Sequence, residues 1–141
     1  MGRPVSDIVR DLQLVDLGDP YLRRLKELCD ELASCDEPAS AVEPVLRFME
    51  ANRHRELGMP GPLVHFLEKV PGYEEALIRS LERAPTQHTV WMLNRMINAA
   101  DEEHEAPLLE LMRTIASTEE DSDVRQDAIE FLEFQEGAKP S

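Results

Sequence analysis

Four histidines, two cysteines and an acidic run around His104 are the side chains with which this sequence could do catalytic or metal chemistry. The histidines are His54, His65, His88 and His104. A zinc hydrolase places two of them four residues apart on one helix, so that both imidazoles reach the same ion, and no such pair occurs here. Asp101-Glu102-Glu103-His104-Glu105 contains one acid-x-x-His element. A di-iron bundle needs two Glu-x-x-His elements and two further glutamates, so the simpler reading is an acidic first helical turn, favoured by the macrodipole. His65 and Glu68 form a local polar pair on one helix face, with a base beside a cleft as the functional alternative. Cys29 and Cys35 lie six apart in a helical pattern, a rise of about 9 Å. A disulfide needs Cα atoms within about 7 Å, and structural zinc wants four clustered ligands. Two reduced thiols in leucine-rich surroundings stay neutral and inert. The prolines of Gly58-Met59-Pro60-Gly61-Pro62 remove the N–H donors that a phosphate would want, and no Gly-x-Ser-x-Gly elbow is present. These residues predict no catalysis, no metal and no cofactor.

Recognition chemistry is better represented. Trp91, Asn94, Arg95 and Asn98 fall on one side of a helix, and Val90, Leu93, Met96 and Ile97 broadly on the other. Either the amides and Arg95 tie neighbouring helices together through free backbone carbonyls, or the Trp91 side faces a partner, because Trp and Arg are common binding hot spots. The chain of 141 residues has 15 basic and 29 acidic side chains, a formal charge of −14. Residues 101–141 hold 13 acids and 3 bases, so −10 of that charge lies there. Asp101, Glu102, Glu103 and Glu105, with Glu119, Glu120, Asp121 and Asp123, read as two neighbouring acidic loops, and Glu130 follows on the last helix. Such a field speeds capture of a basic protein; a merely solvated helix face is the alternative. Trp91 completes the expected partner-binding set. The acid excess argues against nucleic acid and against anionic membrane surfaces.

The longest stretches without a charge, residues 57–67 and 84–94, have 11 residues each, against about 20 for a membrane-spanning helix. Residues 1–7 carry no apolar signal core. The expected compartment is the cytoplasm.

The elements that must position these groups read as eight helices punctuated by proline, with almost no strand signal. Ser6 caps a helix carrying Ile8, Val9, Leu12 and Val15, which Gly18 ends. Asp19-Pro20 starts the next, with Leu22, Leu25, Leu28, Cys29 and Leu32 on its stripe. Ser40-Ala41-Val42-Glu43 reads as a capping box ahead of Val45, Leu46 and Met49. After a turn at 57–62 come Leu63, Phe66, Leu67 and Val70, then a break at Pro71-Gly72. Tyr73, Leu77, Ile78 and Leu81 mark the next helix, and Thr86 caps the one after it. Asp101 or His104 starts the seventh, with Pro107 in its first turn and Leu108, Leu111, Met112 and Ile115 facing inward. Ser122 or Asp123 caps the eighth, whose stripe is Val124, Ala128, Phe131 and Leu132.

The triplets Val45-Leu46-Met49, Leu77-Ile78-Leu81 and Leu111-Met112-Ile115 recur 32 and 34 residues apart. A helix pair at that period is the mark of an α-solenoid. The expected fold is all-α: a short HEAT-like solenoid of about three helix pairs with an N-terminal two-helix cap, or else an irregular helical bundle. It forms a single domain over residues 1–136, with 137–141 as a tail. Asp123-Val124-Arg125-Gln126-Asp127-Ala128-Ile129-Glu130-Phe131-Leu132 resembles the second helix of a HEAT repeat, with the Asp-to-Val spacing shortened.

The segments Glu56-Leu57-Gly58-Met59-Pro60-Gly61-Pro62-Leu63-Val64-His65-Phe66-Leu67-Glu68 and Thr89-Val90-Trp91-Met92-Leu93-Asn94-Arg95 resemble parts of the small helical immunity proteins of bacterial polymorphic-toxin and contact-dependent inhibition systems. The resemblance covers about residues 55–100. It implies a protein that binds one cognate toxin domain and blocks its active site, and an acidic inhibitor suits a basic toxin. The alternative is a HEAT-like adaptor that binds a peptide or helix of a larger complex.

Overall fold

The computed structural model describes residues 3–14, 21–53, 57 and 60–137. Val15, the stop at Gly18, the Asp19-Pro20 start, His54, Gly58-Met59 and residues 138–141 lie outside them, as does the side chain of Leu22. Among the described residues the chain is all-α, with α1 (Val5–Gln13), α2 (Tyr21–Ser34), α3 (Val42–Ala51), α4 (Gly61–Lys69), α5 (Tyr73–Arg83), α6 (Gln87–Ala99), α7 (Glu102–Thr118) and α8 (Ser122–Gly137). A 3-10 turn, Pro38–Ala41, precedes α3. The contacts group into two compact units, Met1–Ser80 and Leu81–Ser141.

In the first unit α2 packs on both α1 and α4. Ile8 and Leu12 of α1, one turn apart, are fully buried, as are Leu25, Leu28 and Leu32 of α2. Burying such a side chain contributes about 1.5–3 kcal/mol, so the apolar stripes dominate the local energetics. Val45, Leu46 and Met49 of α3 and Leu63, Val64 and Leu67 of α4 close the core. Arg3 adds a polar clamp: its guanidinium reaches Glu31 on α2 at 2.9 Å and Asp11 on α1 at 2.7 Å. The guanidinium hydrogen bond holds the carboxyls of Asp11 and Glu31 below their ordinary range. On α5, buried Ser80 donates its hydroxyl to Glu50 of α3 at 2.7 Å. Gly72 ends the link from α4 to α5 at φ +84°, a backbone region glycine enters at no steric cost.

Two starts in this unit differ from the sequence reading. The helix α1 begins at Val5, with Pro4 at its N-cap and no side-chain cap, so Ser6 lies inside the first turn. The box at Ser40 does not form: Pro38 favours a 3-10 turn, Ser40 N–H donates to the Glu37 carbonyl, and Ala41 becomes the N-cap of α3.

In the second unit α6, α7 and α8 pack against one another. Val90, Met92, Leu93 and Ile97 of α6, Met112 and Ile115 of α7 and Val124 and Ala128 of α8 are buried. Thr86 caps α6 as expected, and the exchange is reciprocal. Thr89 N–H donates to Thr86 Oγ1 at 3.0 Å, and Thr86 N–H donates to Thr89 Oγ1 at 2.9 Å. Asp101 is the N-cap of α7, which puts Pro107 in the second turn rather than the first. Of the residues expected to face inward there, Met112 and Ile115 are buried, while Leu108 and Leu111 are half-exposed.

Candidate functional site

The acids of residues 101–137 sit at helix starts and along exposed helix faces. Asp101 Oδ1 accepts the His104 N–H at 2.9 Å and faces the His104 ring Nδ1 at 2.6 Å. These bonds, the backbone one first, hold its carboxyl below the ordinary range. Glu102 and Glu103 are exposed in the first turn, and Glu105 is half-buried. At the other end of α7, Asp121 Oδ1 accepts the N–H groups of Asp123 at 3.0 Å and Val124 at 3.1 Å. Asp121 is therefore the cap of α8, one residue before the expected Ser122 or Asp123. Glu119 braces it: the Glu119 carboxylate accepts the Asp121 N–H at 3.1 Å, and the Glu119 carbonyl accepts from Arg125 at 2.9 Å. Glu120 and Asp123 are exposed, and Glu130, also exposed, accepts from Gln126 at 3.3 Å.

This geometry corrects one part of the sequence reading. The two acidic loops are not neighbours. They flank α7, a helix of 17 residues, and so lie about 24 Å apart along its axis at 1.5 Å per residue. The structure does not gather Asp101, Glu102, Glu103 and Glu105 with Glu119, Glu120, Asp121 and Asp123 into one patch. Between them, the carboxylates of Glu110 and Glu136 share Arg113, at 3.3 and 3.4 Å.

Beside α7 runs a groove of about 530 Å³ between the end of α5 and the stripe Pro107 to Glu119. Leu81, Leu111 and Ile115 form its apolar part, and Glu82, Glu110 and Glu119 bring three carboxylates to its edge against the one guanidinium of Arg83. The chemistry suits a cation on an aliphatic stem, as an arginine or lysine side chain presents it.

Trp91 is half-buried, and the Arg95 guanidinium stacks 5.1 Å from its ring centroid, a cation–π contact. Asn94 and Asn98 do join helices, though through a side chain and not through backbone carbonyls. Gln135 of α8, buried to 4% exposure, donates its amide to Asn94 Oδ1 at 2.8 Å and Asn98 Oδ1 at 2.6 Å. Sequence reasoning missed Gln135. Its signal is its place on the stripe of Val124, Ala128 and Phe131.

No protein-family model, no curated protein and no solved structure matches the chain. Its function therefore rests on its own side chains. Among the described residues, no three of His, Cys, Asp and Glu are grouped to hold a metal ion, and no helix is long and apolar enough to cross a membrane. Cys29 and Cys35 are free thiols. Burial pushes Cys29 up to about 12, so it is not a nucleophile at neutral pH.

One acid of this unit is placed at a cost. Asp127 of α8 accepts from the Gln87 side chain at 3.0 Å. Burial raises its pKa from the ordinary 3.8, outweighing that bond. The folded protein thus holds this proton more tightly than the unfolded chain. Its contribution to stability is lost as pH rises through the raised value. Asp127→Asn is expected to raise stability at pH 7 by about 0.5 kcal/mol, the solvent-screened scale. The gain should vanish below the ordinary aspartate pKa, as urea midpoints measured across pH 3–7 would record.

Proposed function

We propose that this chain is a protein-binding domain without catalytic activity, an immunity protein that binds and neutralises a cognate, basic bacterial toxin domain in the cytoplasm. The observation that carries this reading is the exposed acid excess of residues 101–137, 13 acids against two arginines. Glu102, Glu103, Glu120 and Glu133 are exposed. Of the unit's cations, Arg125 donates to a carbonyl and Arg95 stacks on an indole. A basic partner would meet this face along α7, with its own Arg or Lys entering the groove at Glu110 and Glu119.

The likeness of residues 55–100 to immunity proteins is part of the same proposal, and so is the HEAT-like arrangement. What supports that arrangement is the packing of alternate helices, α2 on α4 in the first unit and α6 on α8 in the second.

The test co-expresses the chain with the product of the neighbouring gene, which this reading expects to be the toxin. The chain is expected to restore growth when both are expressed. Its association rate should fall steeply with ionic strength, because screening weakens steering within about 10 Å at 0.1 M salt. The triple variant Glu102→Lys, Glu103→Lys and Glu120→Lys spares both caps and should slow association severalfold at low salt. Unchanged rate and salt dependence in that variant would refute the acidic surface. Failure of the parent chain to rescue growth would refute the immunity reading itself.

A further inference from the structure

A second groove lies in the first unit, and its chemistry is opposite in sign. It has a volume of about 400 Å³ and runs between α2 and α4. Along α4 the lining residues span Gly61 to Lys69, about 12 Å, and along α2 they span Lys26 to Ala33, about 10 Å. The floor is Cys29 and Phe66, both buried. Cys29 holds its proton there, so the floor carries no charge. Lys26, His65 and Lys69 stand exposed at the rim. Lys26 is paired with Asp30 at 2.9 Å, whereas Lys69 has no ion pair among the described residues.

We propose that this groove binds a linear amphipathic monocarboxylate, a medium-chain fatty acid whose alkyl chain lies over Cys29 and Phe66 and whose carboxylate meets Lys69. Three observations converge on that class. The volume falls in the range of small-molecule sites, roughly 300–1,000 Å³. The groove is long and narrow because it follows two helix faces, at i, i+3, i+4 and i+7 on α2, which suits an extended chain better than a ring system. Lys69 supplies one uncompensated positive charge beside an apolar floor, in a molecule whose net charge is −14. The basic partner proposed for the acidic surface is unsuited to this rim, so the site is independent of that proposal.

The test is titration of the full chain with octanoate, followed by amide NMR shifts. Octanoate is expected to bind with a Kd of about 1 mM or below, the scale a ten-atom ligand reaches at ordinary ligand efficiency. Shifts should concentrate at Cys29, Ala33, His65 and Phe66. Hexanoate, two methylenes shorter, should bind about fifteenfold more weakly, since each buried methylene contributes about a fourfold change. Lys69→Gln should weaken octanoate by up to about fivefold, the scale of an exposed ion pair, and leave octanol unaffected. Ala33 is exposed on α2, so Ala33→Trp fills the groove without disturbing the core and should abolish the shifts. Absence of shifts at 10 mM octanoate (about ten times the expected Kd), shifts centred elsewhere, or equal binding of hexanoate and octanoate would overturn the proposal. The ligand comparisons need no variant to fold.

Discussion

Asp121→Ala is expected to destabilise the protein by about 1–2 kcal/mol, the upper part of the range for losing an N-cap. Its Oδ1 serves two amides of the first turn of α8, from Asp123 and Val124. Without it, those N–H groups lose their partner where Val124 is already buried. Asp121→Asn keeps an acceptor in the same place and should retain most of the stability. Glu120→Ala, one residue away and exposed, should stay within about 0.5 kcal/mol. Urea unfolding distinguishes them: a lowered midpoint at unchanged slope reports lost stability without a change in the exposed surface. A fall for Glu120→Ala as large as for Asp121→Ala would overturn the capping role. The comparison also governs how the acidic surface is tested. A charge reversal that includes Asp121 weakens the fold and the field together, so a loss of partner binding would have two causes. Asp101, which takes the His104 N–H, belongs in the same class, and because its carboxyl pKa is lowered its contribution is full above the ordinary aspartate pKa and is lost as pH falls through the lowered value.

The all-α class and most of the core were legible because apolar residues at helical spacing have few other places to go. Ile8 with Leu12, Leu25 with Leu28 and Leu32, and Val90 with Leu93 and Ile97 are all buried. The Thr86 cap was legible for the same local reason, since its partner Thr89 is three residues on. Where neighbouring residues are equally good caps, local chemistry does not choose. Asp121, Ser122 and Asp123 all accept an amide well, and the choice follows from where Glu119 and Arg125 hold the loop. The spacing of the acidic clusters needed the length of α7. The sequence reading puts the seventh helix between them without drawing on its length of 17 residues, which sets their separation. His65 beside a cleft was the reverse case: the sequence offered it as an alternative, and the exposed imidazole does line the groove between α2 and α4. Lys69, the cation that gives that groove its sign, carried no signal, because an exposed lysine in the last turn of a helix is ordinary dipole chemistry.

Gln135→Leu is the second change with a large expected effect, about 2 kcal/mol of lost stability. Gln135 Nε2 gives its two hydrogens to Asn94 Oδ1 and Asn98 Oδ1. It thereby ties α8 to two successive turns of α6. A leucine of similar volume keeps the packing and removes both donors, so the cost is that of acceptors left without partners, about 1–3 kcal/mol for a buried group. Asn98 is exposed and can turn to water, whereas Asn94 is half-buried, so most of the loss should trace to Asn94. A double-mutant cycle separates the bond from the side chains. Asn94→Leu alone strips Gln135 of one acceptor, and with Gln135→Leu the pair becomes apolar on both sides, where a matched replacement is close to neutral. The double variant should therefore be less destabilised than the sum of the singles, with a coupling of about 1 kcal/mol between contacting residues. Additive losses would mean that the amides are packed together without an energetic link. The position matters beyond stability, because α6 carries the Trp91–Arg95 stack and α8 carries Glu130 and Glu133. A bond that fixes α8 against α6 fixes the spacing of those side chains, so Gln135→Leu should also weaken binding of the proposed partner, and Asn94→Leu in the same background should partly restore it.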